Sequence, residues 1–278
     1  MKVLIYMGDK MKGDIKISVI MGIYNCAKTL PEAIDSILAQ TCPSWKLIMC
    51  DDGSKDDTYA VAEAYRAKYP DKIVLIKNEE NKGLNYTLNH CLQYADTEYI
   101  ARMDGDDISL LTRLEKELAF LEENKQYAIV STQMVYFDEN GDFRTGGAGT
   151  GEPMLNNIVM GTPFCHAPCM VRKEAYDAVG GYAERKDRLR VEDWDLWIRM
   201  YEKGYKGYNL SEALYKMRDD RNAKSRRKFK YRINEMKVSA YAIKVFKFPF
   251  WYYIKTLRPI IVGLLPGPIY RFLHKRNG

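Results

Sequence analysis

Four short apolar runs alternate with helix-like segments before residue 108, and this alternation limits the possible folds more than any other feature of the chain. The runs cover residues 15–21, 47–50, 73–76 and 99–103. Thr29 is a candidate helix N-cap, Pro31 suits a first helical turn, and residues 84–94 follow a helical period. Strands that alternate with helices usually pair in parallel. The sequence therefore predicts an α/β fold with a mostly parallel central sheet flanked by helices.

Acidic residues directly follow two of these predicted strands. Asp51 and Asp52 close the second, and Asp104, Asp106 and Asp107 close the fourth around a single glycine. Ligands of open α/β sheets bind outside the carboxyl ends of the strands. A carboxylate cluster is electrostatically costly unless a cation or a donor-rich ligand binds it, and hard oxygen ligands suit Mg2+ or Mn2+. We therefore expect a metal and phosphate site at this edge of the sheet.

Each acidic group also has a purely local explanation. Residues 51–54 fit a solvated turn with Asx and capping bonds, and residues 104–107 fit a cap for a helix that starts near Leu110. Either explanation would suffice for one group alone. Two groups at equivalent ends of one predicted sheet favour a functional site.

The order and spacing of the motifs resemble those of family 2 inverting glycosyltransferases, which have the GT-A nucleotide-diphospho-sugar transferase fold. The matching segments are S-V-I-M-G-I-Y-N at 18–25, D-D-G-S at 51–54, N-K-G at 81–83, Y-I-A-R-M-D-G-D-D at 99–107 and E-D-W-D-L-W at 192–197. The resemblance implies a GT-A catalytic domain over residues 15–220, with a nucleotide-binding half at 15–107 and an acceptor half at 108–220. Residues 1–14 would form an N-terminal extension.

The resemblance also implies which residues bind the donor, a UDP-sugar. They belong to the first strand, the D-D-G-S turn, the N-K-G segment and the fourth strand, and are Gly22, Tyr24, Asn25, Asp52, Asn81, Gly83, Arg102 and Asp104. Asp106 is implied as a ligand of Mn2+ or Mg2+, with Asp104 supporting the metal. A cation there would offset the negative charge that builds on the leaving diphosphate.

Asp193 is implied as the general base on the acceptor side. Its carboxylate would take the proton of the incoming hydroxyl on the face opposite UDP, so that one in-line displacement inverts the anomeric carbon. Glu192 could substitute as the base. Asp193 could also only cap a helix whose apolar face holds Leu196, Trp197 and Met200, and Trp197 could stack on a sugar instead of packing in the core.

The chain departs from the family pattern at Arg218. Many family members have a histidine in a Y-R-x-H segment near the donor diphosphate, and this chain has Y-K-M-R at residues 215–218. Arginine does not ligate a metal as imidazole does, but it pairs bidentately with phosphate. We therefore predict that Arg218 contacts the UDP phosphates and that protein metal ligands come from the acidic cluster.

Two further segments have two interpretations each. Residues 141–151 contain five glycines and could form a mobile flap ordered by the donor or a hairpin with loose turns. His166 could line the acceptor cleft or could be a loop histidine whose hydrogen bonds are satisfied by the protein.

Positive charge is concentrated after residue 220. Residues 221–278 contain 15 Lys and Arg and one acid, whereas the first 220 residues carry a net charge of −8. Phe250, Trp251 and a short apolar run at 259–266 are interleaved with these charges. The run is too short to cross a bilayer, but such a segment can lie in an anionic membrane surface. We predict a basic amphipathic helical tail over residues 221–278, which binds such a membrane or packs on the domain.

These features together predict a metal-dependent inverting hexosyltransferase of the bacterial capsule, exopolysaccharide or O-antigen type. Its acceptor would be a hydroxyl of a glycan or of a polyprenyl-diphosphate-linked oligosaccharide, and nucleic acid is not an expected partner. Residues 1–13 contain no apolar stretch of signal-peptide length, so we expect a cytoplasmic enzyme, peripheral at the inner face of the cell membrane. A sugar-1-phosphate nucleotidyltransferase would need a glycine-rich loop after the first strand, and a non-catalytic membrane or nucleic-acid adaptor would leave the aspartates unexplained.

Overall fold

The computed structural model describes residues 15–219 and 229–264. The predicted N-terminal extension at 1–14 and residues 221–228 and 265–278 of the predicted tail lie outside the described residues. The strands are β1 (Ile17–Ile23), β2 (Trp45–Asp51), β3 (Ile73–Lys77), β4 (Tyr99–Asp104), β5 (Ile108–Ser109), β6 (Ile129–Asp138), β7 (Gly141–Gly146), β8 (Met170–Arg172) and β9 (Gly207–Arg218). The α-helices are α1 (Leu30–Leu38), α2 (Thr58–Lys68), α3 (Leu84–Gln93), α4 (Arg113–Glu123), α5 (Leu155–Met160), α6 (Lys173–Val179), α7 (Glu192–Glu202), α8 (Phe229–Val245), α9 (Tyr252–Lys255) and α10 (Arg258–Leu264).

The first four strands form the parallel half of one sheet. Their order is β3-β2-β1-β4, and every pair in this half is parallel. In the register of this half, Asp51 lies opposite Ile23 and Asp104 lies opposite Gly22. The two acidic groups therefore meet at the same edge of the sheet, as the sequence predicts.

The second half of the sheet mixes strand directions. It continues in the order β8-β6-β9-β5, with β7 on the edge of β6, and β8 is antiparallel to both β4 and β6. Strands β6 and β9 run parallel. The α/β fold is thus confirmed, and the parallel arrangement is complete among β1 to β4. Strand β5 follows the acidic loop, and the next helix starts at Arg113 instead of near Leu110.

Alternation along the buried strands builds a core on both faces of the sheet. Val19 and Met21 of β1 pack in one cluster with Ile34 of α1, while Ile20 packs on the other face with Leu196 of α7. Successive residues of a strand point to opposite faces, so a strand covered on both sides is apolar throughout. Each fully buried aliphatic side chain stabilises the fold by about 1.5–3 kcal/mol.

Helix α8, the first part of the basic tail, packs against α5 and α7. Val238, Ala242 and Ile243 of α8 are buried in a third cluster with Val159 and Trp194. This part of the tail therefore contributes to the core beside the predicted general base. Within residues 15–219 and 229–264, no helix is long and apolar enough to cross a membrane.

Candidate active site

One large cavity lies at the carboxyl edge of the parallel strands. It has a volume of about 1320 Å3, and both Asp106 and Asp193 line it. Six of the predicted site residues form part of its wall: Gly22, Tyr24, Arg102, Asp104, Asp106 and Asp193. The other five, namely Asn25, Asp52, Asn81, Gly83 and Arg218, are not in this lining.

Two hydrogen bonds and the close packing of Gly105 position the acidic residues of the loop after β4. The guanidinium of Arg102 is buried and donates to Asp104 Oδ1 at 2.6 Å. The main-chain N–H of Asp104 donates to the hydroxyl of Tyr215 at 3.2 Å. A Cβ on Gly105 would lie 2.9 Å from the Cys26 sulfur, so this loop needs glycine between its acids. Asp104 therefore already has a cationic partner, and Asp106 is the acid more available to a ligand.

Burial and mutual repulsion perturb the carboxyls of this loop. Burial, and next the charge of Asp104, raise the pKa of Asp106 above its ordinary value. The pKa of Asp107 is raised to about 8, first by burial and then by the charges of Asp104 and Asp106. Asp107 is nonetheless fixed, because its Oδ1 accepts the main-chain N–H of Arg218 at 2.8 Å. Such a site favours a cation.

The donor set fits a divalent ion that shares its coordination with a phosphate. Among the residues that the structure describes, no cluster of three His, Cys, Asp or Glu side chains is arranged to hold a metal. Mg2+ usually binds through one or two carboxylates, with the remaining positions filled by water and substrate phosphates. Asp106, with Asp104 beside it, matches that smaller donor set.

Arg113, which sequence reasoning missed, supports this loop from below. It is fully buried and pairs with the equally buried Glu117, one helical turn later in α4. Its Nη2 donates to the carbonyl oxygen of Arg102 at 2.8 Å, and its guanidinium lies 5.1 Å from the ring centroid of Tyr215. The i,i+4 Arg–Glu spacing was visible in the sequence, but such pairs are usually solvent-exposed.

The acidic turn after β2 is mostly bonded within the protein. Asp52 is buried, and its carboxylate accepts from the side chain of Asn78 and from the main-chain N–H groups of Lys82 and Gly83 at 2.8–2.9 Å. Asp52 thereby holds the predicted N-K-G segment in place. The buried Oδ1 of Asp51 has no hydrogen-bond partner among the described residues, so Asp51, which sequence reasoning did not select, has the freer acceptor.

The loop after β1 connects this turn to the cavity. Tyr24 is exposed and lines the cavity, whereas the next residue, Asn25, bonds to the acidic turn's neighbours. Its N–H donates to Ser54 Oγ at 3.0 Å, and its Oδ1 accepts from Lys55 N–H at 2.8 Å. Asn81 is exposed on the N-K-G segment. The bonds of Asn25 therefore tie the loop after β1, which carries Tyr24, to the turn after β2.

The predicted base lies in the first turn of α7. Asp193 Oδ2 accepts from the hydroxyl of Thr162 at 3.1 Å, and burial raises the pKa of the Asp193 carboxyl. Glu192 also lines the cavity, and burial and the charge of Asp193 raise its pKa as well. Asp195, two residues on, is buried between the guanidinium groups of Arg188 and Arg199. Asp193 is thus half-buried at the cavity, while Asp195 is fixed by its two ion pairs and does not line the cavity.

Two aromatic groups near the base have structural partners. Trp197 is fully buried and packs edge-on against Phe164, so its core interpretation is confirmed. The ring Nε2 of His166 and the hydroxyl of Tyr182 are hydrogen-bonded at 2.8 Å, and burial lowers the pKa of His166. His166 also lines the cavity. The ring is therefore bonded within the protein, and a contact of His166 with the acceptor stays a prediction.

Arg218 lies on the outer side of the acidic loop. Its Nε donates to the carbonyl oxygen of Asp106 at 2.9 Å, and its guanidinium also pairs with Glu32 and lies 4.4 Å from the ring centroid of Phe137. It therefore shapes the backbone of the loop that carries Asp106. Its contact with a donor phosphate remains a prediction.

The glycine-rich segment forms the β6–β7 hairpin and then borders the cavity. Arg144 of β7 lies over the ring of Tyr136, 3.6 Å from its centroid, and both residues line the cavity. Gly147 follows, where an added Cβ would lie 2.6 Å from Gln133 Oε1 and 3.1 Å from Cys165 Sγ. The hairpin interpretation is confirmed over residues 141–146, and the hairpin adds a cation to the cavity that sequence reasoning missed.

Comparisons with known proteins agree with this geometry. The family model described as Glycosyl transferase family 2 matches residues 18–180. The Bacillus subtilis protein EpsE is 46% identical over 267 residues, which are 96% of each chain. The Escherichia coli UDP-Glc:alpha-D-GlcNAc-diphosphoundecaprenol beta-1,3-glucosyltransferase WfaP is 29% identical, over 80% of this chain and 84% of its own. Among solved structures, S. aureus TarS 1–349 in complex with UDP-GlcNAc superposes with a TM-score of 0.68 at 20% identity, covering 87% of this chain and 72% of TarS.

Proposed function

The chain belongs to glycosyl transferase family 2 and is a glycosyltransferase of the GT-A fold, and from this premise we propose that it transfers a hexose from a UDP-sugar to a hydroxyl of a lipid-linked glycan. The observation that carries the proposal is that Asp106 and Asp193 line the same cavity, where we assign Asp106 to the donor and Asp193 to the acceptor. The product would be a surface polysaccharide. The relative WfaP, whose name gives a UDP-glucose donor and a diphosphoundecaprenol-linked acceptor, supports this choice.

Asp193 performs the proton transfer in this proposal. Its carboxylate accepts the proton of the acceptor hydroxyl while that oxygen bonds to the anomeric carbon of the donor sugar. The bond between the anomeric carbon and the β-phosphate oxygen breaks, and UDP leaves with the electron pair. Attack and departure occur on opposite faces of the sugar, so the anomeric configuration is inverted. A raised pKa makes Asp193 a stronger base than an exposed aspartate.

The donor diphosphate lies against the acidic loop in this proposal. Asp106, supported by Asp104, holds Mn2+ or Mg2+ there, and such an ion supplies charge neutralisation of the leaving diphosphate. Arg102 keeps Asp104 oriented, and Arg218 holds the loop backbone and reaches the phosphates when the donor binds. Arg144 adds a further cation to the same cavity.

The other predicted donor residues place the nucleoside in this proposal. Gly22 and Tyr24 border the cavity, and Asn25 fixes the loop that leads from them to the acidic turn. Asp52 accepts the main-chain N–H groups of Lys82 and Gly83, and it thereby holds the segment that carries Asn81 and Gly83. Asp51, with its freer buried oxygen, is the added candidate for contacting the base.

Peripheral attachment to a membrane completes the proposal. The residues between α8 and α10 expose several large apolar side chains, among them Phe250, which is 79% exposed, and Ile254, which is 70% exposed. Lys247 and Lys255 lie among them and Arg258 follows, as in segments that lie at an anionic lipid surface. This placement would bring the cavity to a lipid-linked acceptor at the inner face of the cell membrane.

A screen of UDP release tests the donor and the acceptor separately. The purified full chain is supplied with UDP-glucose, UDP-galactose, UDP-GlcNAc, UDP-GalNAc or GDP-mannose, with Mn2+ or with EDTA, and with lipid-diphosphate-linked sugars as acceptors. We expect metal-dependent release with one UDP-sugar and a β-linked product, by NMR, from an α-linked donor. Release of GDP from GDP-mannose, with no UDP released from any UDP-sugar, would contradict the proposed donor. Equal rates in Mn2+ and in EDTA would contradict the metal, and retention of the anomeric configuration would contradict the inverting mechanism.

A further inference from the structure

A second cavity opens beside the predicted base, on the side of α7 that faces the tail. It has a volume of about 450 Å3, within the range of small-ligand sites. Thr162, Arg190 and Asp193 line both cavities. The remaining wall comes from the end of α5, the start of α7, and helices α8, α9 and α10. A ligand in this second cavity would therefore reach Asp193 from the acceptor side.

Positive charge dominates the wall of this second cavity. Its four cations are Arg190, Arg232, Lys255 and Arg258, and its carboxylates are those of Asp193 and Glu235. Arg232 donates to the carbonyl oxygen of Pro259 at 3.5 Å, and the Lys255 ammonium lies 4.1 Å from the ring centroid of Tyr252. Three of the four cations are contributed by the tail, so the tail gives this wall its excess of positive charge.

The chain around the cationic residues is apolar and exposed. Ile254 precedes Lys255, Leu257 precedes Arg258, and Ile261 follows one turn later in α10, and all three apolar side chains are exposed. Cations beside exposed apolar groups match a ligand with an anionic head and a hydrocarbon chain. A free anion would gain nothing from the apolar residues.

We propose that the second cavity binds the diphosphate that joins the acceptor sugar to its lipid carrier. Arg190, Arg232, Lys255 and Arg258 bind the phosphate oxygens, the sugar extends toward Asp193, and the hydrocarbon chain leaves past Ile254 and Ile261. This inference rests on the proposed function, because it assigns the acceptor class of the same site. It also gives the tail a role in substrate recognition in addition to membrane attachment.

Equilibrium binding of farnesyl diphosphate, a short carrier analogue, tests the proposal without requiring sugar transfer. The full chain is first saturated with UDP and Mn2+, so that the donor site is filled, and then titrated with farnesyl diphosphate, farnesol or inorganic diphosphate. We expect farnesyl diphosphate to bind more tightly than either of the others. In the double variant R232Q/R258Q its affinity should fall about 10-fold or more, because both substitutions remove a cation that pairs with the diphosphate.

Matched variants distinguish a site from general charge. R232K/R258K should recover most of the affinity, which also shows that loss in R232Q/R258Q is not misfolding. K237Q/K244Q removes two exposed charges from α8 away from the cavity and should change the affinity less than 2-fold. Equal losses in the two glutamine variants, or competition between farnesyl diphosphate and UDP, would overturn the proposal.

The outcomes also separate this inference from the proposed function. Tight binding of inorganic diphosphate, equal to that of farnesyl diphosphate, would assign a site for free anions and would reject the lipid carrier. UDP-sugar transfer to glycans with no dependence on a lipid diphosphate would leave the glycosyltransferase proposal standing and would overturn the subsite. Selective binding of farnesyl diphosphate by a chain that transfers no sugar would support the subsite and contradict the transfer.

Discussion

The acidic turn after β2 and the acidic loop after β4 have similar compositions, but their carboxylates differ in hydrogen bonding and in access to the cavity. Asp52, after β2, accepts three hydrogen bonds from its own chain and faces the N-K-G segment. Asp106, after β4, lines the cavity, and the repulsion of Asp104 raises its pKa. The carboxylate of Asp52 is thus occupied by hydrogen bonds within the protein, while the carboxylate of Asp106 stays available to a ligand. The position of an acidic residue at a strand end makes it a candidate for ligand binding. Its hydrogen bonds within the protein then show whether its carboxylate is available to a ligand.

The same division recurs within α7. Asp193 faces the cavity with one hydroxyl donor, and Asp195 is buried between two arginines. The two aspartates lie two residues apart, so the helix turns them to different sides of α7. If the comparison is sound, substitution of the cavity residues Asp106 and Asp193 should lower turnover. Substitution of the internally bonded residues Asp52 and Asp195 should lower the stability of the fold.

The largest effect is expected from the pair in α7. Asp193→Asn should lower kcat by about 10²–10⁴-fold, the usual contribution of a general base, with little change in Tm because the amide keeps the shape of the side chain. Asp195→Asn should destabilise the fold by about 3–5 kcal/mol, because it leaves buried arginine charge uncompensated. The turnover of each variant is measured by UDP release, and its Tm is measured by calorimetry. Near-normal turnover of Asp193→Asn would remove it as the base.

The two strand ends give the next largest contrast. Asp106→Asn should lower kcat by about 10²–10³-fold, as for loss of a group that stabilises developing charge, and should raise the Mn2+ concentration needed for half-maximal rate. Asp52→Ala should lower Tm by several degrees, because it leaves buried donors unpaired at about 1–3 kcal/mol. The comparison fails if Asp52→Ala keeps the wild-type Tm while Asp106→Asn unfolds the chain.

The sequence was sufficient for features set by local pattern. The short apolar runs between helix-like segments located β1 to β4, and the apolar stripe of α7 located Trp197 in the core. Features that depend on contacts between distant residues were not visible. The bonds of Asp52 to Gly83, and of Arg113 to the carbonyl of Arg102, join residues whose proximity only the folded topology creates. The second cavity likewise needs the tail to pack on α7, which composition alone left open.

The smallest predicted effect concerns the hydroxyl of Thr162. That hydroxyl donates to the Asp193 carboxylate and lowers the Asp193 pKa, against the larger raising effect of burial. Thr162→Val should therefore raise the pKa of Asp193 further, since it removes a hydrogen bond that stabilises the charged carboxylate. A base must be unprotonated, so activity is lost as pH falls through this pKa. The acidic limb of the kcat/KM profile should move to higher pH.

Thr162→Ser provides the matched control, because serine keeps the hydroxyl and should leave the limb in place. Glu192 is adjacent to Asp193 in α7, burial and the charge of Asp193 raise the pKa of Glu192, and Glu192 also lines the cavity. If the limb stays fixed in Thr162→Val and disappears in Glu192→Gln, the proton passes to Glu192. The cavity would then still hold the base, but the hydrogen bond from Thr162 would mark Asp193 as the structural member of the pair.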